Sequence, residues 1–411
     1  MQKNNATGYT VFMRKRESRK AVSGSYFHCS RLCSYFLFFS IIFLFSACNN
    51  KKEENTLPAL PPGVDYPGGT IAPNAAQVNL GRHLFFDRRL SFNQTKSCAG
   101  CHAPPFAFTD GYRRSFGATA DMHLRNSEPL FNLAFLQRYT AANPTFTTLE
   151  QQMGNPLFNT KFIELGVKDH ETEILNRLQN SSAYRELFAQ AFPENKNAVT
   201  LNHVIASITA FMNTIISAGS PYDRYEYYGE KDALDAAAQR GRQLFFSDSL
   251  ACSACHSGFN FSGGINNPSL PLAQTLYFNN GLYNTDGKGA YPAEDEGLKT
   301  ITRLPEDMGK FRVPTLRNLL FTGPYMHDGS MSTLTEIIDM YARGGRLIEQ
   351  GENSGDGSKS PLKNPRIKGF RISPQQKADL LGFLVSLSDS SFISNPKYQN
   401  PFGDDETKAK Y

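Results

Sequence analysis

The chain has 411 residues and a formal net charge of +5, from 43 Lys and Arg against 38 Asp and Glu. Residues 1–47 hold seven of the basic residues and one acidic residue, which leaves 36 basic (43 less 7) and 37 acidic (38 less 1) residues. A near-neutral remainder excludes the broad basic surface typical of nucleic-acid-binding proteins, so no nucleic acid partner is expected.

The N-terminal segment, residues 1–47, has the pattern of an export signal. Basic residues precede an apolar core from Tyr35 to Phe45, which is shorter than the roughly 20 residues of a membrane-spanning helix. The segment ends Leu44-Phe45-Ser46-Ala47-Cys48, which resembles a bacterial lipobox. It predicts a lipid anchor at Cys48 on the periplasmic side of a bacterial membrane; a plain signal-peptidase site is the alternative. Residues 48–70 are rich in polar residues, Pro and Gly and are predicted to be a flexible tether.

Two strings of the form C-x-x-C-H follow, Cys98 to His102 and Cys252 to His256. This form attaches a c-type haem: the two cysteines bind the haem covalently and the histidine binds its iron. A zinc ribbon sets its cysteine pairs about 15–20 residues apart, and neither a ribbon nor a thiol–disulfide centre explains both histidines. The other cysteines, Cys29, Cys33 and Cys48, all lie in the N-terminal segment. The cofactors predicted are therefore two covalently bound c-type haems, held by Cys98, Cys101, His102, Cys252, Cys255 and His256.

A repeated lead-in sequence precedes each motif: Gly81-Arg82-His83-Leu84-Phe85-Phe86 before the first and Gly241-Arg242-Gln243-Leu244-Phe245-Phe246 before the second. The repeat predicts two cytochrome c-like domains, each with one haem, related by internal duplication. We place the N-terminal domain at residues 71–219 and the C-terminal domain at 220–395.

Helical spacing dominates the rest of the chain. Apolar residues recur at helical spacing over residues 201–216, and Gly219-Ser220-Pro221 ends that segment. A second helix is predicted over residues 374–387, and Thr333 to Glu336 has the pattern of a capping box that begins another. Because strand signals are scarce, the fold is predicted to be mainly α-helical.

Further motifs occur in order from about Asn74 to Leu387, and in them the chain resembles the bacterial di-haem cytochrome c peroxidases and their relative that matures methylamine dehydrogenase. The motifs are Leu84-Phe85-Phe86-Asp87 with Leu90-Ser91, Ser97 to His102, Phe108-Thr109-Asp110-Gly111, Arg125-Asn126, Val313-Pro314-Thr315-Leu316-Arg317-Asn318 and Pro324-Tyr325-Met326-His327-Asp328-Gly329.

The resemblance implies that the N-terminal haem, on His102, meets peroxide and that the C-terminal haem, on His256, supplies electrons. The expected enzyme reduces hydrogen peroxide to water with electrons from a small periplasmic donor such as a monohaem cytochrome c. One alternative is a di-haem oxidase that acts on a protein or organic substrate through a high-valent di-haem state. Another is an electron-transfer cytochrome without substrate chemistry. Homodimers are common in the family, and a homodimer stays open for this chain.

The resemblance also implies catalytic residues. The family's glutamate, with a glutamine upstream, matches Glu164-Leu165-Gly166 and Gln152. Such a glutamate moves a proton from one peroxide oxygen to the other. A glutamate is usually a solvated charge, but Phe162, Ile163 and Leu165 surround this one with apolar residues.

The sixth ligand of the C-terminal iron is a methionine in the peroxidases and a tyrosine in the maturation enzyme. The matching position is Tyr341, with Met340 as the alternative beside it, although Tyr341 also fits a core aromatic residue. The family further places a calcium ion between the haems, and the matching ligands are Asn126, Thr322 and Pro324.

Two departures from the family pattern bear on mechanism. The chain has no tryptophan, whereas the family usually has one between the haems; Tyr139 or Phe146 is the replacement that the sequence offers. Peroxidases that need reductive activation have a distal histidine, but Ala118 stands at that spacing and His123 lies nearer Asn126. If His123 does not bind iron, the N-terminal haem is open without prior reduction.

Overall fold

The computed structural model describes residues 57–68, 70, 72–263 and 276–403, which belong to one compact unit. The predicted signal peptide and Cys48 lie outside these residues. No helix in the described ranges is long and apolar enough to cross a membrane.

The described residues are mainly helical, as predicted. Helices of seven or more residues are α1 (Ala75–Phe86), α2 (Glu171–Gln179), α3 (Ser182–Ala191), α4 (Leu201–Asn213), α5 (Pro221–Tyr227), α6 (Ala236–Phe245), α7 (Leu334–Arg343) and α8 (Pro374–Ser386). One-turn helices occupy Leu149–Gln152, Gly154–Phe158, Lys299–Thr302 and Ser390–Ile393. The antiparallel strand pairs are β1 (Tyr277–Phe278) with β2 (Phe311–Arg312), and β3 (Leu347–Ile348) with β4 (Gly355–Asp356).

Side-chain caps set the beginnings of these helices. At α7, the Thr333 side chain accepts from the Glu336 backbone N–H and the Glu336 side chain accepts in return, so the predicted capping box is present. Ser373 and Gln376 form a second capping box at the start of α8, where Pro374 takes the first helical position.

The two lead-in helices make the same kind of close crossing. A Cβ atom added at Gly81 of α1 would lie 1.8 Å from the backbone oxygen of Ser207 on α4. One added at Gly241 of α6 would lie 1.9 Å from the backbone oxygen of Asp379 on α8. Glycine is therefore needed at both positions because any side chain would separate the paired helices.

Two apolar cores form around these helix pairs. The first holds Leu84, Phe85, Phe108, Ile208 and Phe211, among others. The second core holds residues of α6 and α8 and of the loop after the second motif, including Phe245, Phe261, Leu380 and Phe383. The structure thus has a core beside each C-x-x-C-H motif.

Two terminal segments depart from a simple division of the chain. Phe392 and Tyr398 pack into the first core, and the Tyr398 hydroxyl donates to the Thr214 carbonyl (2.9 Å). Residues from the C-terminal side of the predicted boundary at residue 219 therefore belong to the core of the N-terminal half. Part of the segment predicted as a tether is also packed. The Tyr66 ring stacks on Phe135, with 5.8 Å between centroids.

Candidate haem sites

The first motif is held in a short turn with its histidine oriented. Cys98 begins a 3₁₀ turn, and neither Cys98 nor Cys101 forms a disulfide. The His102 Nδ1–H donates to the Phe108 carbonyl (3.0 Å), which leaves Nε2 as the nitrogen that is available to a metal. Burial lowers the pKa of His102, which favours the neutral imidazole that binds iron.

The second motif repeats this arrangement. Cys252 begins a 3₁₀ turn, Cys252 and Cys255 are free thiols, and the His256 Nδ1–H donates to the Phe261 carbonyl (3.0 Å). Burial lowers the pKa of His256 as well. In both motifs, paired free thiols stand beside a neutral, oriented histidine. This donor set fits a covalently attached haem.

A cavity of about 340 Å³ adjoins the second motif. Cys252, Cys255, His256 and Tyr341 line it. Burial raises the pKa of Tyr341 to about 12. Met340 is buried in an apolar cluster with Leu282, against which Tyr341 also packs, but Met340 does not line the cavity. The structure therefore brings Tyr341, not Met340, to the cavity that contains His256.

The backbone around Glu164 is fixed from two sides. The Ala118 N–H donates to the carbonyls of Ile163 (3.1 Å) and Glu164 (3.0 Å), and the Leu165 N–H donates to the Pro156 carbonyl (3.0 Å). A Cβ atom at Gly117 would lie 2.0 Å from the Ile163 oxygen. These contacts hold the glutamate loop against the loop before His123.

The carboxylate of Glu164 contacts His123 and interacts electrostatically with His102 of the first motif. His123 Nε2 lies 3.4 Å from Glu164 Oε1, and the Arg125 backbone N–H donates to His123 Nδ1 (3.3 Å). Since Nδ1 accepts a hydrogen bond, neutral His123 has its proton on Nε2, facing Glu164. The negative charge of Glu164 opposes the burial that lowers the pKa of His102. Glu164 therefore lies within electrostatic reach of the first motif.

Gln152, the other predicted catalytic residue, ends a one-turn helix. Its side chain is half-buried and makes no hydrogen bond with any described residue. The structure does not pair it with Glu164.

The three predicted calcium ligands, Asn126, Thr322 and Pro324, line the same cavity as Tyr341. The Asn126 amide donates to the Tyr112 carbonyl (2.8 Å), so its nitrogen is engaged and its oxygen is the atom left for a cation. No group of three or more His, Cys, Asp or Glu side chains suited to a metal occurs among the described residues. A cation here would therefore depend on amide and carbonyl oxygens, which calcium accepts.

Neither Tyr139 nor Phe146 lines the cavity, although the sequence offered them as replacements for tryptophan. Phe311 and His327 do, and their rings stack with 3.8 Å between centroids. Burial lowers the pKa of His327 to about 4. The motif containing His327 was visible in the sequence, but its stacking on Phe311 depends on β2 and could not be read there.

The roles of two arginines could not be read from the sequence. Arg125 makes two hydrogen bonds to Asp295, at 2.6 and 2.7 Å. Arg317 makes two to the buried Asp223, both at 2.8 Å, and a third to the Phe259 carbonyl in the second motif's loop. Both arginines lie in recognised motifs, yet each carboxylate partner is distant in the chain.

Similarity to known proteins identifies the family of the chain. Residues 75–232 match the family model described as di-haem cytochrome c peroxidase. The chain is 31% identical over 354 residues to cytochrome-c peroxidase IdrP1 of Denitromonas iodatirespirans, covering 81% of this chain and 85% of the relative. It is 31% identical to cytochrome c551 peroxidase of Pseudomonas aeruginosa, covering 76% of this chain and 78% of the relative. A crystal structure of a MauG-like protein associated with microbial copper homeostasis superposes with a TM-score of 0.76 at 41% identity, covering 84% of this chain and 97% of that protein.

Proposed function

Because this chain belongs to the di-haem cytochrome c peroxidase family, we propose that it reduces hydrogen peroxide to water with electrons from a small periplasmic redox protein. Each turnover consumes one peroxide, two protons and two electrons and yields two waters. A haem at each motif would supply a redox-active iron, the first to reduce peroxide and the second to receive electrons. His102 and His256 would hold these irons through Nε2.

The observation that carries the proposal is the position of the Glu164 carboxylate. It lies 3.4 Å from His123 Nε2, and its negative charge opposes the burial that lowers the pKa of His102. Reduction of peroxide needs a group that takes a proton from one oxygen and returns it to the other. We assign this transfer to Glu164, whose loop is held in place by backbone hydrogen bonds with Ala118 and Pro156. The Glu164 side chain is 31% exposed, so water can reach its carboxylate and exchange protons with it.

His123 serves Glu164 and does not bind iron. Both of its ring nitrogens already have partners, the Arg125 N–H at Nδ1 and the Glu164 carboxylate at Nε2. A histidine ligand would need one nitrogen free. We therefore propose that the first site accepts peroxide without a prior reductive step, since no histidine has to be displaced.

At the second site, we propose Tyr341 as the sixth ligand and a calcium ion on Asn126, Thr322 and Pro324. Support comes from the cavity that Tyr341 shares with His256 and the three calcium ligands. A phenolate ligand would lower the potential of the second iron relative to a methionine ligand. Gln152 stays a proposed partner of Glu164 during turnover.

The remaining organisation is proposed on the sequence. The close crossings at Gly81 and Gly241 support internal duplication into domains at residues 71–219 and 220–395. Export to the periplasm, a lipid anchor at Cys48 and a homodimer rest on the sequence and the family.

A second candidate function is oxidation of an organic or protein substrate by the same di-haem unit. Tyr341 favours it because tyrosine is the ligand expected in the maturation enzyme. A simple electron carrier is disfavoured because it needs no proton-transfer group, whereas Glu164 is held in a fixed loop and contacts His123.

Glu164→Gln tests the proposed function in protein that carries both haems. Loss of a general acid–base group lowers the rate by about 10²–10⁴-fold, and we expect peroxide reduction to fall within that range. The matched control is Glu173→Gln, because Glu173 also lies beside a histidine, 3.5 Å from His170, but on the surface. Stopped-flow spectroscopy with one equivalent of peroxide measures the first step. An unchanged rate in Glu164→Gln would remove Glu164 from the mechanism.

A further inference from the structure

A basic segment lies beside the second candidate haem site. Between Asp356 and Asp379 the chain has six basic residues and no acidic one. Three of the six are engaged: Lys363 donates to the carbonyls of Gly344 and Ser358, and Lys359 and Lys377 lie beside Asp356 and Asp339. The other three, Arg366, Lys368 and Arg371, are exposed and form no ion pair with any described residue.

The position of residues 366–371 follows from their contacts. Residues 366–370 line the cavity that contains His256 and Tyr341. The Phe370 N–H donates to the carbonyl of Ala342 (2.9 Å), the residue after Tyr341 in α7. Arg366 lines this cavity together with Cys255 and His256. The unpaired cations therefore stand at the edge of the second site.

We propose that residues 366–371 are the docking surface for the electron donor, and that the donor is a small redox protein with acidic residues around its own cofactor. The inference rests on the proposed function and names the class of donor. These exposed cations make the edge of the second site positively charged, and an acidic face on the partner complements that charge. Such complementarity speeds encounter by about 10- to 10³-fold at low salt. Docking here would set the donor beside the site through which electrons enter.

The rival partner for exposed cations is an anionic lipid surface. The cavity favours the redox protein, because only a donor gains from lying next to His256. A lipid surface would have no reason to select the edge of this cavity.

The test uses haem-loaded protein and two single-haem cytochromes c, one acidic and one basic, with matched potentials. With the acidic cytochrome we expect faster oxidation and a rate that falls as salt rises, because screening shortens to about 10 Å at 0.1 M. Lys368→Glu with Arg371→Glu should lower this rate, and the binding of the oxidised cytochrome without peroxide, by at least about tenfold at low salt. Arg185→Glu with Lys196→Glu makes the same change of charge at exposed positions of the first half and should change neither.

Several results would overturn the docking surface. These are a rate independent of salt, an equal loss in the control variant, or a preference for the basic cytochrome. Loss of bound haem in Lys368→Glu with Arg371→Glu would mean that these cations hold the haem. Binding to anionic lipid vesicles is measured for the same variants. If Lys368→Glu with Arg371→Glu loses vesicle binding but still binds the cytochrome, the segment contacts a membrane instead. If the cytochrome binds through this segment but peroxide is not consumed, the proposed function fails while the docking surface stands.

Discussion

The buried ion pair of Asp223 and Arg317 offers a prediction about how the second site is held together. Both side chains are fully buried, and two hydrogen bonds of 2.8 Å join them. Arg317 also donates to the Phe259 carbonyl (2.8 Å) and lies over the Phe259 ring, 4.1 Å from its centroid. Phe259 is two residues from Phe261, whose carbonyl orients His256. The pair therefore connects α5 to the loop of the second motif.

Asp223→Asn keeps the shape of the side chain and removes its charge. One carboxylate oxygen becomes an amide that faces a guanidinium N–H, and the Arg317 charge stays buried without compensation. Removing one partner of a buried pair costs about 3–5 kcal/mol. We expect the free energy of unfolding to fall by about that amount, measured by urea denaturation of haem-loaded protein. The absorption of the second haem should change because its histidine loop loosens.

Asp379→Asn is the matched control. Arg240 holds Asp379 through two hydrogen bonds of 2.9 and 2.7 Å, but the Arg240 side chain is 51% exposed and can turn to water. Because water reaches the Arg240 guanidinium, losing this pair should cost less than losing the fully buried pair of Asp223 and Arg317. Adding Arg317→Met to Asp223→Asn should restore part of the lost stability, because no buried charge is left. If Asp223→Asn costs no more than the control, the reasoning is refuted.

Three further predictions concern the two sites. His123→Asn should slow peroxide reduction by about fivefold or less, the value of a partly exposed contact such as the one of 3.4 Å between His123 Nε2 and Glu164. The ferric spectrum should stay unchanged, and loss of a low-spin bis-histidine signal would show that His123 binds iron. Tyr341→Phe should raise the reduction potential of the second haem in a spectroelectrochemical titration, because the phenolate is lost; an unchanged potential would exclude Tyr341 as a ligand. Burial raises the pKa of Asp295, but Arg125 outweighs it and lowers the pKa below the usual 3.8. The ionised Asp295 therefore stabilises the folded state above pH 3.8, and this contribution is lost as the pH falls through the lowered pKa of Asp295 in the folded protein. The difference in unfolding free energy between wild type and Asp295→Asn should therefore close in acid, and a constant difference would contradict it.

Short-range patterns in the sequence predicted much of the fold. Helical spacing located α4 and α8, the repeated lead-in sequences predicted α1 and α6, and the capping box located the start of α7. These features depend on residues within a few turns of one another, so the chain by itself determines them. The two C-x-x-C-H motifs are equally local and indicated the haem sites directly.

Long-range contacts decided the rest. Gly81 and Gly241 belong to the repeat, but only the crossing helices show why a side chain is excluded at each. Phe392 and Tyr398 return to the first core, where Tyr398 bonds to Thr214, 184 positions away in the chain. No local pattern encodes such a contact.

The same distinction holds at the sites. The sequence predicted Glu164 and left Tyr341 and Met340 as alternatives, since both fit the helix. Tyr341 lines the cavity that contains His256 and Met340 does not, because packing against other segments determines which face of α7 meets the cavity. The partners of His123 were likewise invisible, for Glu164 lies 41 residues away. Chemistry that is attached to a motif can be read from the chain, whereas the groups that orient it come together only in the folded protein.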